Sequence, residues 1–257
     1  PARFHGRSRI LCKLFIENRR IFRKIRDDKN MNLKIEDMNV YVVSDIHNEA
    51  DCFKKLLKKI NFSPKDCLII AGDIFDRGEN PAELYFEILW HPNMYVVQGN
   101  HDVWVKREIF EKYDGREAGE YLSYNTVSIL EKQLPPTDVL ELARWIDRQP
   151  YYINLELNGV QYQIAHAQTY PTPERLVNLS KLYMGDAFYE EFLRGKDEKG
   201  KDFISIVGHT STEDQKIWKS ESGKTIRIDC GCGYRSSYGK GRLGALRLND
   251  GKEFYID

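Results

Sequence analysis

Six side chains of types that bind metal ions stand where short apolar segments of this chain end. Each segment is bounded by turn-forming residues, which is typical of a buried strand. Carboxylate, imidazole and amide oxygen are donors that suit divalent cations, and a set of this size and order suits a pair of such ions. The six residues are Asp45, His47, Asp73, Asn100, His166 and His209.

The segments that would position these side chains alternate between strand and helix patterns. Predicted strands at 39–43, 67–71 and 94–98 are separated by residues 49–60 and 81–90, whose apolar positions recur at helical spacing. Such alternation predicts parallel strands with right-handed crossovers, and the carboxyl ends of these strands form the usual ligand site. Predicted strands at 161–165 and 203–207 fit the same plan, so we expect all six donors at one sheet edge.

At these positions the chain resembles the calcineurin-like metallophosphoesterases. More narrowly, it looks like the compact bacterial and phage form of their serine/threonine phosphoprotein phosphatases. The resemblance runs from about residue 40 to the C-terminus, and the Asp-Arg-Gly at 76–78 separates this branch from many phosphodiesterases. The matching segments are Ser44–His47, Gly72–Gly78, Gly99–Asp102, His166–Ala167 and Gly208–Thr210.

The resemblance implies an α/β protein whose central β-sandwich of mixed sheets is flanked by helices. Residues 31–257 are interpreted as a single domain, in which residues 103–158 form a helical cap that packs beside the sheet and helps to shape the substrate cleft. Three helices are predicted within that region, at 103–113, 124–133 and 137–148.

The resemblance also implies a role for each motif residue. His101 would donate a proton to the leaving group, Asp76 would orient His101, and Arg77 together with Asn100 would bind the substrate phosphate. Asp45 and His47 would hold the first metal, Asp73 would bridge both metals, and the ligands completing the second metal would be Asn100, His166 and His209.

The chemistry of phosphate ester hydrolysis gives independent reasons for these residue types. Two divalent ions acidify a shared water, so that a metal-activated hydroxide is available near neutral pH. Asp45 and Asp73 cancel only part of the metal charge, and a neutral Asn100 keeps the cluster positive toward a phosphate dianion. Mixed oxygen and nitrogen donors permit manganese, iron, zinc or cobalt without deciding among them, and manganese is the ion that we expect.

His101 and Arg77 are suited to the two remaining tasks of such a reaction. A serine or threonine alkoxide is a poor leaving group, so a general acid at His101 would contribute on the order of 10²–10⁴-fold. A carboxylate behind the imidazole, assigned to Asp76, would favour its charged form. The planar guanidinium of Arg77 matches the geometry of phosphate oxygens.

The chain departs from the family pattern at some positions. Gln168 follows Ala167 where the family usually has glycine, and it is a candidate for the mouth of the site. Many relatives carry a second arginine that grips phosphate, and Arg175 and Arg194 lie in the corresponding interval without a matching motif. Asp102 is interpreted as a supporting residue that does not touch metal.

These features predict a dinuclear-metal-dependent phosphomonoester hydrolase, acting on phosphoserine or phosphothreonine in proteins. The alternative enzymatic interpretation is hydrolysis of dinucleoside polyphosphates, such as diadenosine tetraphosphate, or of small phosphorylated metabolites. A metal-binding scaffold without turnover is the non-enzymatic alternative. A nucleic-acid partner is not expected, because the body of the protein is acidic and has no basic groove.

The composition agrees with a single metal-dependent domain in the cytoplasm. The 257 residues suffice for one large α/β core, and no segment has the roughly 20 apolar residues of a membrane span. No secretory signal is visible, and five cysteines without framework spacing are typical of a reducing compartment. Oligomeric state is left open by the sequence.

The net charge of zero conceals a basic arm on an acidic body. Residues 1–30 contain ten Lys and Arg against three Asp and Glu, and their apolar residues fall near one helical face. Two interpretations stay open. The arm is a functional segment that docks, touches a membrane surface or mediates oligomerisation, or it is a non-native extension, since the chain starts at Pro1 and Met31 lies close to the first family-like strand.

Overall fold

The computed structural model describes residues 30–116, 123–167 and 202–257. These residues fold into two β-sheets and a layer of helices. The strands are β1 (Asn30–Ile35), β2 (Asn39–Val43), β3 (Asp66–Ile70), β4 (Met94–Val96), β5 (Tyr152–Leu157), β6 (Val160–Ala165), β7 (Ile204–Val207), β8 (Trp218–Lys219), β9 (Thr225–Arg227), β10 (Leu243–Arg247) and β11 (Glu253–Ile256). The helices are α1 (Ala50–Lys59), α2 (Pro81–Trp90), α3 (Asn100–Asp114), α4 (Thr126–Gln133), α5 (Pro136–Asp147) and the single turn α6 (Arg235–Tyr238).

The first sheet has the strand order β11-β10-β2-β3-β4. Its strands β2, β3 and β4 run parallel, as the alternation of strands and helices predicts, while β10 is antiparallel to both β2 and β11. Every residue of β3 is buried, which is typical of a central parallel strand covered on both faces. Helices α1 and α2 are the crossovers of this sheet.

The second sheet corrects the expectation that all donor-bearing strands share one sheet. Strands β6 and β7, which precede His166 and His209, are parallel neighbours in a six-stranded sheet ordered β1-β5-β6-β7-β9-β8. The strand pattern at 161–165 and 203–207 was therefore recognised correctly, but its membership of the first sheet was wrong. The family resemblance, which implies a sandwich of mixed sheets, gave the correct architecture.

Alternation along the strands of the first sheet divides the core into two layers. Val43, Leu68 and Ile70 point to one face, where they pack with the helices, and Val42 and Ile69 point to the other, where they pack against the second sheet. The resulting order of layers is helices, first sheet, second sheet. The carboxyl ends of strands from both sheets meet along one rim of this sandwich.

Helix α3 begins three residues earlier than the sequence predicts. Its N-terminus is fixed by Asp102, whose side chain accepts a hydrogen bond of 2.9 Å from the backbone N–H of Gly99. Asn100 and His101 therefore lie in the first helical turn, where the sequence had indicated a tight turn before a helix. Helix α2 begins at Pro81, as expected for proline in a first turn.

The region predicted as a cap contributes three helices to the helical layer. Apolar residues of α3, α4 and α5 belong to the same core as those of α1 and α2. The end of the region, β5, belongs to the second sheet, where it pairs with β1 in parallel. A covering action of residues 103–158 over the substrate stays a prediction.

Several predicted features lie outside the described residues. They are the basic arm before Asn30 and the candidate residues Gln168, Arg175 and Arg194. Strand β1, which the sequence pattern did not indicate, starts at Asn30 and so overlaps the last residue assigned to the arm. Among the helices that the structure describes, none has the length and apolar character needed to cross a membrane.

Candidate metal centre and active site

Loops from both sheets bring the six predicted metal ligands to one buried place. Asp45 and His47 follow β2, and Asp73 follows β3. Asn100 opens helix α3 after β4. From the second sheet, His166 directly follows β6, and the loop after β7 adds the last of the six residues, His209.

Asp73 lies at the centre of this group. Its Oδ2 atom is 3.7 Å from Nε2 of His47 and 3.2 Å from Nε2 of His166, so one carboxylate faces donors on both sides. On the first side, Oδ1 of Asp45 is 3.9 Å from Nε2 of His47. This central position is the one that a carboxylate shared by two cations requires.

On the other side of Asp73, three further donors converge. Oδ1 of Asn100 lies 3.0 Å from Nε2 of His166 and 3.1 Å from Nδ1 of His209, and the two imidazole nitrogens are 3.1 Å apart. Ligand atoms of Asp73, His166 and His209 all lie within 4.8 Å of one another. The distances are those of donors that surround a common point.

The histidine tautomers leave the correct nitrogens available for a cation. Nδ1 of His47 donates to the carbonyl of Phe75 over 3.1 Å, and Nδ1 of His166 donates to the carbonyl of Ala71 over 3.0 Å. Since a carbonyl only accepts, the neutral form of each imidazole would present the lone pair of Nε2 to the cluster, and at His166 a bound cation would replace the proton that Nε2 holds. The donor set therefore has the chemistry to hold divalent cations.

The buried carboxylates experience opposite shifts in pKa. Burial raises the pKa of Asp45 to about 6, with the neighbouring charge of Asp73 adding to the shift. Burial also opposes ionisation of Asp73, but His166 and His101 outweigh it and hold the pKa of Asp73 well below its ordinary value. The backbone N–H of His101 donates to Oδ1 of Asp73 over 3.0 Å, at the N-terminus of α3.

Burial and the neighbouring charges also shift the pKa values of the three histidines in the cluster. Burial lowers the pKa of His47 to about 3, and burial with the charge of His166 lowers the pKa of His209 to about 3. Burial also opposes charge on His166, but the carboxylates of Asp73 and Asp45 raise its pKa to about 10. The cluster thus concentrates positive charge beside Asp73, the position where bound cations would supply it.

Asp76, His101 and Arg77 form a separate unit beside the six donors. Nδ1 of His101 donates to Oδ2 of Asp76 over 2.8 Å, and Arg77 Nη2 donates to Nε2 of His101 over 3.3 Å. One ring nitrogen of His101 also lies within 4.8 Å of ligand atoms of His47 and Asp73. The guanidinium of Arg77 beside Nε2 of His101 disfavours a cation there, so the geometry is better suited to proton transfer than to metal binding.

Asp76 is fully buried and accepts several hydrogen bonds. Its oxygens accept the backbone N–H of Tyr124 at 2.9 and 3.1 Å and the hydroxyl of Thr126 at 3.3 Å. Burial acts to raise its pKa, but the hydrogen bonds from His101 and from the Tyr124 backbone hold it below the ordinary value. Asp76 is therefore ionised near neutral pH and fixes the orientation of His101.

Two glycines allow the backbone to approach the donors closely. A Cβ atom at Gly99 would lie 2.1 Å from Oδ1 of Asp73, and a Cβ atom at Gly208 would lie 2.1 Å from Oδ2 of Asp45. Any larger residue would displace these carboxylates. The glycines of the Gly-Asn-His and Gly-His-Thr motifs are thus explained by contact with the carboxylates.

Much of the site is built on left-handed backbone. Single residues other than glycine adopt this conformation at a cost on the order of 1 kcal/mol each, and such residues cluster at functional sites. The site residues with positive φ are Asp45, His47, Asn48, Asp73, Asp76, Arg77 and His209.

Three residues of this neighbourhood were not recognised as site residues from the sequence. Asp229 is buried, and burial together with the charge of Asp45 raises its pKa well above the ordinary value. Its position after an apolar strand, in an Asp-Cys-Gly motif, was a usable signal. The ring of Tyr124 stacks on His101, and that of Tyr234 packs under Arg77, and no local pattern indicates either contact.

Comparison with known proteins identifies a matching family model and several relatives of this chain. Residues 38–235 match the family model for calcineurin-like phosphoesterases. Serine/threonine-protein phosphatase 2 of Salmonella typhimurium is 34% identical over 137 residues, covering 52% of this chain and 59% of that protein. A symmetrical bis(5'-nucleosyl)-tetraphosphatase of Wigglesworthia glossinidia brevipalpis is 26% identical over 200 residues, covering 74% of this chain and 65% of that protein. The chain thus spans less than two thirds of the length of either relative.

A solved structure supports the fold over a larger part of the chain. A protein serine/threonine phosphatase from Saccharomyces cerevisiae superposes with a TM-score of 0.59 and covers 96% of this chain and 88% of its own. Its sequence identity of 16% limits this comparison to the architecture. The layered sandwich described above is therefore an arrangement that known phosphatases adopt.

The pKa of Asp76 leads to a testable dependence of stability on pH. Because its folded pKa lies below the ordinary value of 3.8, the ionised carboxylate stabilises the fold above that pH, and this contribution is lost as pH falls through the folded pKa. We expect Asp76→Asn to lower the free energy of unfolding by about 1–3 kcal/mol at pH 7.

The difference in the free energy of unfolding between the wild type and Asp76→Asn should shrink as the pH falls below about 4. Urea unfolding of both proteins at pH 7, 5 and 3 measures it, with the exposed Asp51→Asn as a control of equal charge change. A difference that stays constant down to pH 3 would contradict the prediction.

Proposed function

Because the chain belongs to the calcineurin-like phosphoesterase family, we propose that it is a dinuclear-metal-dependent phosphomonoester hydrolase that acts on phosphoserine and phosphothreonine in proteins. The observation that carries the proposal is the convergence of six metal-type donors on Asp73, with the Arg77–His101–Asp76 unit beside them. The named phosphatase relatives support the reaction class.

The proposed ligands divide into two sets that share Asp73. Asp45 and His47 would hold one cation, and the other would be held by Asn100, His166 and His209. When bound, the two cations would acidify water and neutralise the charge of the phosphate. We propose manganese as the ion, since the donors suit it, and iron, zinc or cobalt as alternatives decided by availability.

The remaining residues would handle the phosphate and the proton. Arg77, with Asn100, would bind phosphate oxygens through its planar fork. A phosphate that takes the guanidinium N–H bonds leaves Nε2 of His101 free to carry a proton toward the leaving-group oxygen. Asp76 keeps the imidazole in place through its hydrogen bond to Nδ1, so His101 can act as the general acid.

A second candidate substrate is supported by the comparisons. Several relatives are symmetrical bis(5'-nucleosyl)-tetraphosphatases, and the longer of these matches cover 74% of this chain. Hydrolysis of dinucleoside polyphosphates would use the same metal ligands and the same acid. The non-enzymatic alternative, a metal-binding scaffold, would not require the intact His101–Asp76 pair.

The four cysteines in the described part of the chain are buried and free, in keeping with the proposed cytoplasmic location.

Metal binding can be tested apart from catalysis. Manganese at about 100 times its dissociation constant should raise the unfolding temperature by roughly 5–10 °C, because ligand binding stabilises only the folded state. Asp73→Asn should abolish most of this rise and lower kcat/KM for an aryl phosphate by about 10²-fold or more. The exposed Asp51→Asn is the matched control. An undiminished manganese effect in Asp73→Asn would refute the proposed site.

The role of His101 predicts a dependence on the leaving group. We expect His101→Asn to lower kcat for a phosphoserine peptide by about 10²–10⁴-fold, because the alkoxide must be protonated as it leaves. The loss should be much smaller for p-nitrophenyl phosphate, whose phenolate leaves without help. His91→Asn, at a histidine that contacts Glu87 outside the site, should change neither rate. Equal losses of kcat on both substrates would mean that His101 does not act as the general acid.

The two substrate classes can be separated directly. Steady-state kcat/KM for phosphoserine and phosphothreonine peptides, measured against diadenosine tetraphosphate, should favour the phosphopeptides by at least about tenfold if the proposed function is correct. The reverse preference would assign the chain to the dinucleoside polyphosphate hydrolases. Absence of turnover on all of them, with manganese bound, would favour the scaffold.

A further inference from the structure

An exposed aromatic ring lies directly beside the proposed general acid. Tyr124 is 75% exposed, although few large apolar or aromatic side chains in the described residues are exposed at all. Its ring lies nearly parallel to the imidazole of His101, at 18°, with ring centroids 5.9 Å apart. On another side, His101 packs against the buried ring of Trp104 at 4.4 Å.

The position of Tyr124 is fixed by the catalytic unit itself. Its backbone N–H donates to both oxygens of Asp76, at 2.9 and 3.1 Å, and the same carboxylate accepts Nδ1 of His101. The main chain of Tyr124 is therefore held in register with the imidazole. A ring that is positioned in advance loses little conformational freedom when it binds another flat group.

The proposed reaction places the leaving group next to this ring. If His101 protonates the leaving-group oxygen, that oxygen lies within hydrogen-bond reach of the imidazole. The part of the leaving group beyond this oxygen can then reach the exposed ring of Tyr124. Tyr234 differs, because its ring lies 4.8 Å from the guanidinium carbon of Arg77 and so supports the phosphate side.

We propose that Tyr124 forms a stacking subsite for the leaving group, which adds affinity for phosphate esters that carry a flat aromatic or heteroaromatic ring on that side. The chemical class is an aryl ester, such as a phosphotyrosine side chain, or a nucleoside phosphate. This inference rests on the proposed function, because it takes the position of the leaving group from the role of His101. Serine and threonine esters would bind without the stacking contact.

A pair of non-hydrolysable ligands tests the subsite without the influence of leaving-group acidity. Phenylphosphonate and cyclohexylphosphonate have the same charge and similar size, but only the first is flat and aromatic. With manganese present, calorimetry of the intact protein should give tighter binding of phenylphosphonate by about two- to tenfold. Tyr124→Phe should keep this preference, and Tyr124→Leu should bring the ratio close to one by weakening phenylphosphonate alone.

Two further variants separate stacking from general effects. Tyr234→Leu should weaken both phosphonates by the same factor, because it removes support from Arg77. Trp90→Leu, at an exposed aromatic residue in the last turn of α2, should change neither. Unfolding temperatures with and without manganese confirm that each variant folds and binds metal. A preference retained in Tyr124→Leu, or an equal weakening of both ligands by that variant, would overturn the proposal.

Kinetic measurements distinguish the two sources of the ring. A phosphotyrosine peptide, its phosphoserine equivalent and diadenosine tetraphosphate are compared in the wild type and in Tyr124→Leu. The subsite predicts a selective loss of kcat/KM on one or both of the ring-bearing substrates, and the one that loses more identifies the source. If phosphonate binding depends on Tyr124 but no substrate is hydrolysed, the proposed function fails and the subsite stands. If the substrates are hydrolysed at rates that do not depend on Tyr124, the proposed function stands and the subsite is refuted.

Discussion

The burial of several carboxylates in one small volume is the constraint on which the rest of this site depends. Asp45, Asp73, Asp102 and Asp229 are each at most 5% exposed. An isolated ionised carboxylate in such surroundings is costly, and the usual response is a raised pKa. Asp45, Asp102 and Asp229 respond in this way, whereas imidazoles and a helix N-terminus keep Asp73 charged. Cations bound among them would remove the repulsion, so the electrostatics and the proposed chemistry depend on the same ions.

The sandwich architecture makes this centre a product of the complete fold. Asp45 and Asp73 belong to loops of the first sheet, and His166 and His209 to loops of the second. The two sheets are joined at the site by hydrogen bonds, from Nδ1 of His166 to the carbonyl of Ala71 and from the backbone N–H of His209 to Asp45. Neither sheet could assemble the centre alone. The close contacts at the motif glycines keep the facing loops in register.

Local patterns in the sequence predicted strands β2 and β3, helix α2 and the six donors, because each depends on near neighbours. Such local patterns do not indicate which distant segments pair as neighbouring strands. Strand β1 pairs Asn30 with Tyr152, 122 positions away, and the second sheet likewise forms from segments far apart. The start of α3 depended on the side chain of Asp102. The position of Tyr124 depends on its hydrogen bond to Asp76, which only the folded chain creates. The family resemblance supplied the sandwich where local patterns could not.

The left-handed backbone at seven site residues has a consequence for engineering the protein. Glycine at these positions would relax the main chain, which favours the fold, except at Asp76, where it would also remove a stabilising carboxylate. The same change at Asp45, His47, Asp73 or His209 would remove a proposed metal ligand. Directed evolution for heat resistance alone would therefore tend to discard the chemistry of these loops. Thermotolerant libraries should be screened for turnover from the first round, and their mutations directed to the helical layer instead.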